Sequence, residues 1–242
     1  MIQKKKLIIL HGWNGSVKSW KKFIFLAEEK YDVHFVSLPC FDGMPCPNSV
    51  WGIQEYVNYV KKEIANIEKR EIGGANSKSI LLAHSFGGQI ASLLVVQHPE
   101  LISKLILCGA AAIRPKKIIK KIILLPLVFA SKIFQKNKIT RSVVLKLRRS
   151  IYRLVGGHDY IEATGTKLEI FKKIIKEDLT EQVVNIITPT TILWGRNDSY
   201  TPLWQGRKLV KLIPNSKLYI QKNGRHGLHI THPQWILDKI NL

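Results

Sequence analysis

The sequence of residues 79–89 is Ser79-Ile80-Leu81-Leu82-Ala83-His84-Ser85-Phe86-Gly87-Gly88-Gln89. Its apolar first half predicts a buried strand, and its small residues predict a tight turn with Ser85 at the apex, followed by a helix over 87–98. In such a turn the Ser85 hydroxyl stands above the strand end, and the backbone N–H of Phe86 points toward the same place from a helix N-terminus. A serine that only caps a helix after a strand is the alternative interpretation.

The same alternation of a short apolar run with a helical pattern continues on both sides of this stretch. Predicted strands cover 7–10, 33–38, 79–83, 105–108, 191–194 and 217–220. Predicted helices cover 17–30, 50–67, 87–98, 203–212 and 233–240. Strands that alternate with helices need crossover connections, so the sequence predicts an α/β fold, with a mostly parallel sheet and helices on both faces.

One segment interrupts this alternation. Residues 114–155 hold thirteen basic residues and no acidic one, in an amphipathic helical pattern. We therefore predict a helical insertion over 114–176 that covers one end of the sheet, and a core made of 1–113 and 177–242. A hydrophobic content of 45% in 242 residues excludes a disordered chain and allows one sizeable core.

The formal net charge of +21 raises the question of an anionic partner. A lysine-rich surface without any partner accounts for the charge more simply. The mixture of basic and apolar residues over 115–151 leaves weak association with anionic membranes open, because interfacial helices have this composition. The chain carries no recognisable nucleic-acid module or aromatic stacking ladder, so we expect no specific nucleic-acid partner.

Cysteine usage and the apolar runs bear on the compartment. Cys40 and Cys46 share a Pro-rich loop and could pair locally, but with Cys108 they make an odd set, which favours free thiols in a reducing compartment. The run over 7–10 is too short for a secretory signal, and the run over 122–130 is interrupted by Pro126. We expect a soluble cytoplasmic protein.

Three more loops follow predicted strands. The first reads His11-Gly12-Trp13-Asn14-Gly15 and offers the Trp13 N–H as a second donor above Ser85, or is an ordinary tight turn. The second contains Asp198, placed to orient an imidazole, or to form an Asx-turn. The third contains His226 in Asn223-Gly224-Arg225-His226-Gly227, where a plain surface histidine is the alternative. Because catalytic groups in open α/β sheets lie beyond the carboxyl ends of strands, Ser85, Asp198 and His226 can meet.

The chain order Ser85, Asp198, His226 resembles that of the α/β-hydrolase superfamily. The likeness is to small, cofactor-free serine hydrolases with a helical cap, and it covers nearly the whole chain, beginning at the family's third strand. Gly195-x-x-Asp198-x-x-x-Pro202 and Gly224-x-His226 match the family's acid and histidine loops. The departures are Ala83 in place of glycine and Arg225 before the histidine, and neither removes a catalytic atom.

The resemblance implies a Ser85–His226–Asp198 triad, with an oxyanion hole formed by the N–H groups of Trp13 and Phe86. It implies an esterase acting on small or medium acyl substrates, without a cofactor. A lactonase, a thioesterase or a C–C bond hydrolase with the same triad is an alternative, as is a non-catalytic binding protein or a basic membrane-surface protein on the same fold.

The remaining histidines and one asparagine receive minor roles. Asn14 and His84 are candidates for lining the substrate pocket, and His11 is expected to be structural. We expect no metal site, because His229 and His232 lack an accompanying carboxylate at ligand spacing, and we expect both to flank the last helix.

Overall fold

The computed structural model describes residues 4–69, 78–114 and 163–242. Within these ranges the strands form a parallel six-stranded sheet in the order β2-β1-β3-β4-β5-β6. The strands are β1 (Lys5–Leu10), β2 (Tyr31–Val36), β3 (Ser79–His84), β4 (Ile102–Cys108), β5 (Thr190–Gly195) and β6 (Ser216–Gln221). The predicted α/β fold with a mostly parallel sheet is confirmed.

Helices cover both faces of this sheet. They are α1 (Val17–Ala27), α2 (Ile53–Lys69), α3 (Phe86–Gln97), α4 (Gly165–Ile174), α5 (Trp204–Leu212), α6 (Leu228–Thr231) and α7 (Pro233–Ile240), with a short 3₁₀ turn at Val183–Asn185. Alternate residues of β1 point to opposite sides: Ile8 and Leu10 pack with α2 and α3, whereas Leu7 and Ile9 pack with α1 and α7. Period-two alternation of apolar residues in a strand covered on both faces thus divides the core into two layers.

The central strand β3 is fully enclosed in the sheet. All six of its residues are buried, whereas β2 and β6, at the two edges, are partly exposed. Its burial fixes the position of the turn that follows it, because the turn begins where the chain leaves the core.

Several predicted element boundaries differ from the structure by a few residues, and at two of them the cause is a polar side chain. Strand β2 ends at Val36 and not at Leu38, since the Leu38 N–H leaves the sheet and donates to the ring Nε2 of His11 at 3.0 Å. Helix α2 begins at Ile53 and not at residue 50, because the Glu55 carboxylate accepts the N–H of Gly52 and the Glu177 carboxylate accepts that of Ile53. A polar side chain sets the boundary in both places. At the end of β2 it is that of His11, and at the start of α2 it is those of Glu55, in the first turn of the helix, and Glu177, far away in the sequence.

The predicted insertion falls largely outside the described residues, which leave out 115–162 and so the segment considered for membrane association. Arg114, at its start, is partly buried and donates to Gln89 Oε1 at 2.9 Å and to the carbonyl oxygens of Ile174 and Glu177 at 3.1 and 3.2 Å. Burial lowers the pKa of Arg114 to about 10, opposed by the nearby charges of Asp178 and Glu177. The Arg114 guanidinium thus joins the two ends of the predicted insertion, since Ile174 lies at its C-terminal end and Glu177 directly follows it.

The expectation of free thiols at Cys40 and Cys46 is wrong for this structure. The two form a disulfide, while Cys108 is a free, buried cysteine at the end of β4. The loop brings the pair together because Cys40 adopts a left-handed backbone (φ 75°) and its N–H donates to the carbonyl of Pro45 at 3.1 Å. In the part of the chain that the structure describes, no helix is long and apolar enough to cross a membrane.

Candidate active site

Ser85 lies in the turn between β3 and α3. Its backbone has φ 52° and ψ −112°, a conformation that an L-residue adopts only at a cost. The turn is held at both ends: the Ser85 N–H donates to the carbonyl of Cys108 at 3.0 Å, and its carbonyl accepts the N–H of Ala111 at 2.9 Å. The end of β4 therefore holds the strained residue in place, as the predicted elbow requires.

Asp198 follows β5 by three residues and is deeply buried. Its side chain is 1% exposed, and all its described partners are donors. Oδ1 accepts the N–H groups of Tyr200 and Thr201 at 2.9 Å each, and Oδ2 lies 2.9 Å from the Thr201 hydroxyl. An ionised carboxylate only accepts hydrogen bonds, so this surrounding suits its charged form. The Asx-turn does not prevent Asp198 from orienting an imidazole, because the turn uses Oδ1 and Oδ2 faces the imidazole.

His226 follows β6 and contacts Asp198 directly. Its Nδ1 lies 2.8 Å from Asp198 Oδ2, and its side chain is 17% exposed. Because the carboxylate only accepts, Nδ1 carries the proton and Nε2 is left as the acceptor in the neutral ring. The plain surface histidine is thus excluded: one ring nitrogen is fixed by a buried carboxylate, and the ring keeps an accessible part.

A hydrogen-bonded pair of loops brings the acid and the histidine together. Arg196 N–H donates to Gln221 O and Asn197 N–H to Gly224 O, each at 2.9 Å, so the chain after β5 runs beside the chain after β6. Gly109, which follows β4 with φ 54°, lies under the pair, where a β-carbon would be 3.2 Å from Asp198 Oδ2. A larger residue there would be strained and would crowd the carboxylate.

Ser85 belongs to the same edge of the sheet. A β-carbon on Gly12 would lie 3.1 Å from Ser85 Cβ, which places the loop after β1 against the turn. The ring of His84, the neighbour of Ser85, lies 4.6 Å from the ring of His226, centroid to centroid. The structure thus joins Asp198 to His226 by a direct hydrogen bond, and joins Ser85 to this site through its backbone and its neighbour.

The two residues predicted to supply oxyanion donors are adjacent. The rings of Trp13 and Phe86 are 5.6 Å apart, and the N–H of Gly87 donates to the carbonyl of His11 at 3.1 Å. Among the described turns and loops, no backbone hydrogen bond uses the N–H of Trp13 or of Phe86. The oxyanion role itself stays a prediction, as does the pocket-lining role of Asn14, which is exposed and has a left-handed backbone.

His11 is structural, as expected. It is buried, its Nδ1–H donates to the carbonyl of Gly12 at 2.7 Å, and its Nε2 accepts the N–H of Leu38. Burial lowers its pKa, so the ring is neutral with both nitrogens satisfied. It fixes the loop after β1 to the loop after β2.

His229 and His232 both flank the last helix, α7. His232 is its N-cap residue, and His229 lies in α6 just before it. His229 is buried, with its ring stacked on Trp20 at 4.3 Å. Burial, together with the charges of His226 and His11, lowers the pKa of His229 to about 3.

Thr201 is a site residue that the sequence reasoning missed. Its hydroxyl lies 2.9 Å from Asp198 Oδ2, 3.0 Å from the carbonyl of Gly109 and 3.2 Å from His226 Nδ1. It therefore touches both members of the acid–histidine pair. The spacing Asp-x-x-Thr could have indicated it, because an Asx-turn brings the third residue's hydroxyl back to the carboxylate.

Comparisons with known proteins agree with this geometry. The family described as alpha/beta hydrolase fold matches residues 5–233. The chain is 27% identical to an uncharacterized hydrolase, YugF, from Bacillus subtilis (strain 168), over 98% of this chain and 89% of that protein. It is 25% identical to a pimeloyl-[acyl-carrier protein] methyl ester esterase from Aeromonas hydrophila subsp. hydrophila, over 98% and 94%.

Structural comparison gives the same fold. An esterase from Exiguobacterium antarcticum aligns with a TM-score of 0.73 and 19% sequence identity, covering 99% of this chain and 91% of that one. The chain belongs to the alpha/beta hydrolase fold family. It is a hydrolase of this fold with an esterase among its relatives.

Proposed function

We propose that the protein hydrolyses carboxylic esters of small or medium acyl groups through an acyl-enzyme formed on Ser85. The observation that carries the proposal is the buried Asp198–His226 hydrogen bond of 2.8 Å, at the same edge of the sheet as the strained turn of Ser85. A serine, an imidazole and a carboxylate in these roles define a serine hydrolase by geometry, whatever their spacing in the chain.

In the proposed reaction, Ser85 Oγ attacks the ester carbonyl carbon while His226 Nε2 takes the hydroxyl proton. Asp198 holds the Nδ1–H of His226 and stabilises the imidazolium that forms. The tetrahedral intermediate collapses when the alcohol leaves with the proton from His226. Water then attacks the acyl-enzyme, gives its proton to His226, and releases the acid as Ser85 regains its own proton.

The negative oxygen of each tetrahedral intermediate is assigned to the N–H groups of Trp13 and Phe86. Phe86 lies at the N-terminus of α3, where the helix dipole favours an anion. Two fixed donors of this kind typically lower the barrier by about 3 kcal/mol each.

The acyl group is assigned to an aromatic surface beside the turn. Trp13 packs against Phe41 and Phe86, with ring centroids 4.7 and 5.6 Å away, and against Phe171 of α4 at 4.9 Å. Since α4 ends the predicted insertion, this contact supports placing residues 114–176 as a cap over the site. A related methyl ester esterase favours an ester as substrate. A lactone, a thioester or a C–C bond is open to the same triad.

The test is a panel of p-nitrophenyl esters of rising acyl length, with lactones and acyl thioesters, run on the wild type and on Ser85→Ala. We expect hydrolysis of short and medium esters by the wild type, and a fall in kcat of about 10⁶-fold in the variant, the loss typical of removing a nucleophilic serine.

The matched control is Ser92→Ala, which removes another buried hydroxyl from the same region, bonded to the carbonyl of Gly88 at 2.7 Å. We expect it to keep wild-type activity. Equal activity of Ser85→Ala and the wild type contradicts the proposal, and so does a serine-directed phosphonate that labels a residue other than Ser85.

A further inference from the structure

We infer that His84 is a positioning residue: by donating its ring Nε2–H to the carbonyl oxygen of His226, it fixes the histidine loop over the turn that carries Ser85. The inference rests on the proposed function of that turn and loop. His84 is the last residue of β3, and its Nε2 lies 3.0 Å from the His226 carbonyl oxygen, 142 positions away in the chain.

The chemistry of this contact fixes the tautomer of His84. A carbonyl oxygen only accepts, so Nε2 carries the hydrogen and Nδ1 carries the lone pair. Nδ1 faces the backbone of Gly12, where a β-carbon would lie 2.8 Å away. The ring is therefore enclosed on its Nδ1 side by the loop after β1 and bonded on its Nε2 side to the loop after β6.

The groups packed around His84 keep it a neutral donor. Its ring lies 4.6 Å from those of His226 and His229 and 6.3 Å from that of Trp20. Burial, followed by the charges of His226 and His229, holds the pKa of His84 well below its usual value. A neutral donor suits this position, because the proposed reaction places a positive charge on the neighbouring His226 ring.

The carbonyl of His226 receives a second donor from its own loop. The N–H of Leu228, the first residue of α6, lies 3.0 Å from the same oxygen. The main chain of His226 is thus held by β3 and α6, and its side chain by Asp198. A residue fixed at both ends has little freedom to swing away from Ser85, and small displacements of a catalytic base cost rate steeply.

The experiment compares three variants in the full chain: His84→Leu, which removes the donor; His84→Gln, whose side-chain amide nitrogen falls near the position of the imidazole Nε2; and His229→Leu as the matched control. His229 lies in the same buried cluster, and its Nδ1 has no hydrogen-bond partner. Each variant is titrated with a serine-directed phosphonate, so that kcat is given per reactive site, and its folding is checked by thermal unfolding.

For His84→Leu we expect kcat to fall by about 10²-fold with little change in KM, the loss associated with a displacement of about 1 Å. We expect His84→Gln to recover most of this loss and His229→Leu to keep wild-type kcat. A leucine variant with wild-type kcat, or a glutamine variant no better than the leucine one, overturns the inference.

If His84→Leu does not fold, His84→Gln is compared with His84→Asn, whose shorter amide does not reach the carbonyl, and equal kcat values in these two overturn the inference. The wild type and Ser85→Ala run alongside. Activity that survives in Ser85→Ala refutes the proposed function itself, whatever the His84 variants show.

Discussion

The side of the proposed site next to β1 is aromatic, whereas the side formed after β5 and β6 is polar. On the aromatic side, Trp13 contacts Phe41, Phe86 and Phe171 through ring edges and faces. Such contacts are broad and weakly directional, so their energy changes little when a ring shifts by a few tenths of an ångström.

On the polar side, Asp198, Thr201 and His226 meet through hydrogen bonds of 2.8–3.2 Å. These bonds depend on which atom carries each proton and weaken steeply when they are misaligned. We therefore expect the two sides to respond differently to substitution: the aromatic side should tolerate a change of shape, while the polar side should not tolerate a change of hydrogen-bonding capacity.

The polar side is tested most severely by Asp198→Asn, which keeps the shape and changes one acceptor into a donor. The amide nitrogen cannot accept the Nδ1–H of His226, so the ring is driven to the wrong tautomer, and we expect kcat to fall by about 10⁴-fold. Ester hydrolysis measures the loss, and a thermal unfolding curve confirms the fold. A loss under tenfold would mean that the polar side does not depend on this bond.

The buried histidines below the polar side predict a loss of stability in acid. The pKa of His229 is about 3 in the folded chain and near 6.5 when unfolded. Below pH 6.5 the unfolded chain binds a proton at His229 that the folded chain does not bind until the pH nears 3. The contribution of His229 to the free energy of unfolding is therefore fully present above pH 6.5 and is lost as the pH falls toward 3. Between pH 7 and pH 5 this amounts to about 2 kcal/mol of unfolding free energy.

Denaturant unfolding at both pH values measures this effect in the wild type and in His229→Leu. We expect the variant to lose less stability than the wild type over the same pH interval, because one of the titrating groups is gone. An identical pH dependence in both proteins would show that His229 is not held neutral by burial.

The aromatic side is tested by Phe41→Leu. Phe41 is buried, and its ring lies 4.7 Å from that of Trp13 and 6.2 Å from that of Phe86. Leucine keeps most of the apolar volume, so we expect a loss of about 1 kcal/mol in unfolding free energy and a change in kcat under tenfold. A loss of activity as large as that of Asp198→Asn would abolish the distinction between the two sides.

Much of the fold could be predicted from local patterns. Apolar spacing, with Ser85 or Pro233 at a boundary, predicts the strand over 79–83 and the helix over 233–240, and the alternation predicts the parallel sheet. In the structure the strand runs one residue further, to His84, and the helix has the predicted bounds. These features depend on nearest neighbours in the chain. In any parallel sheet the carboxyl ends of the strands lie at the same edge. Because Asp198 follows β5 and His226 follows β6, the sequence could predict that the two meet.

The rest depends on contacts between distant positions. The end of β2 is set by His11, which lies 27 residues before Leu38 and accepts its N–H. The pairing of Cys40 with Cys46 depends on a left-handed turn that composition does not indicate. The hydrogen bond from His84 to the His226 carbonyl joins residues that are 142 positions apart in the chain. Spacing predicts which residue types come near a site, but the geometry of each bond is set only once the loops are packed.

The backbone of Ser85 has a consequence for any attempt to make the protein more robust. With φ 52° and ψ −112°, position 85 suits glycine better than any residue with a side chain. Ser85→Gly would relieve a strain of about 1–3 kcal/mol, so selection for heat resistance alone would favour a more stable chain that lacks the proposed nucleophile. Thermostability screens of this hydrolase should therefore be paired with an activity readout, or they will reward the removal of the proposed nucleophile.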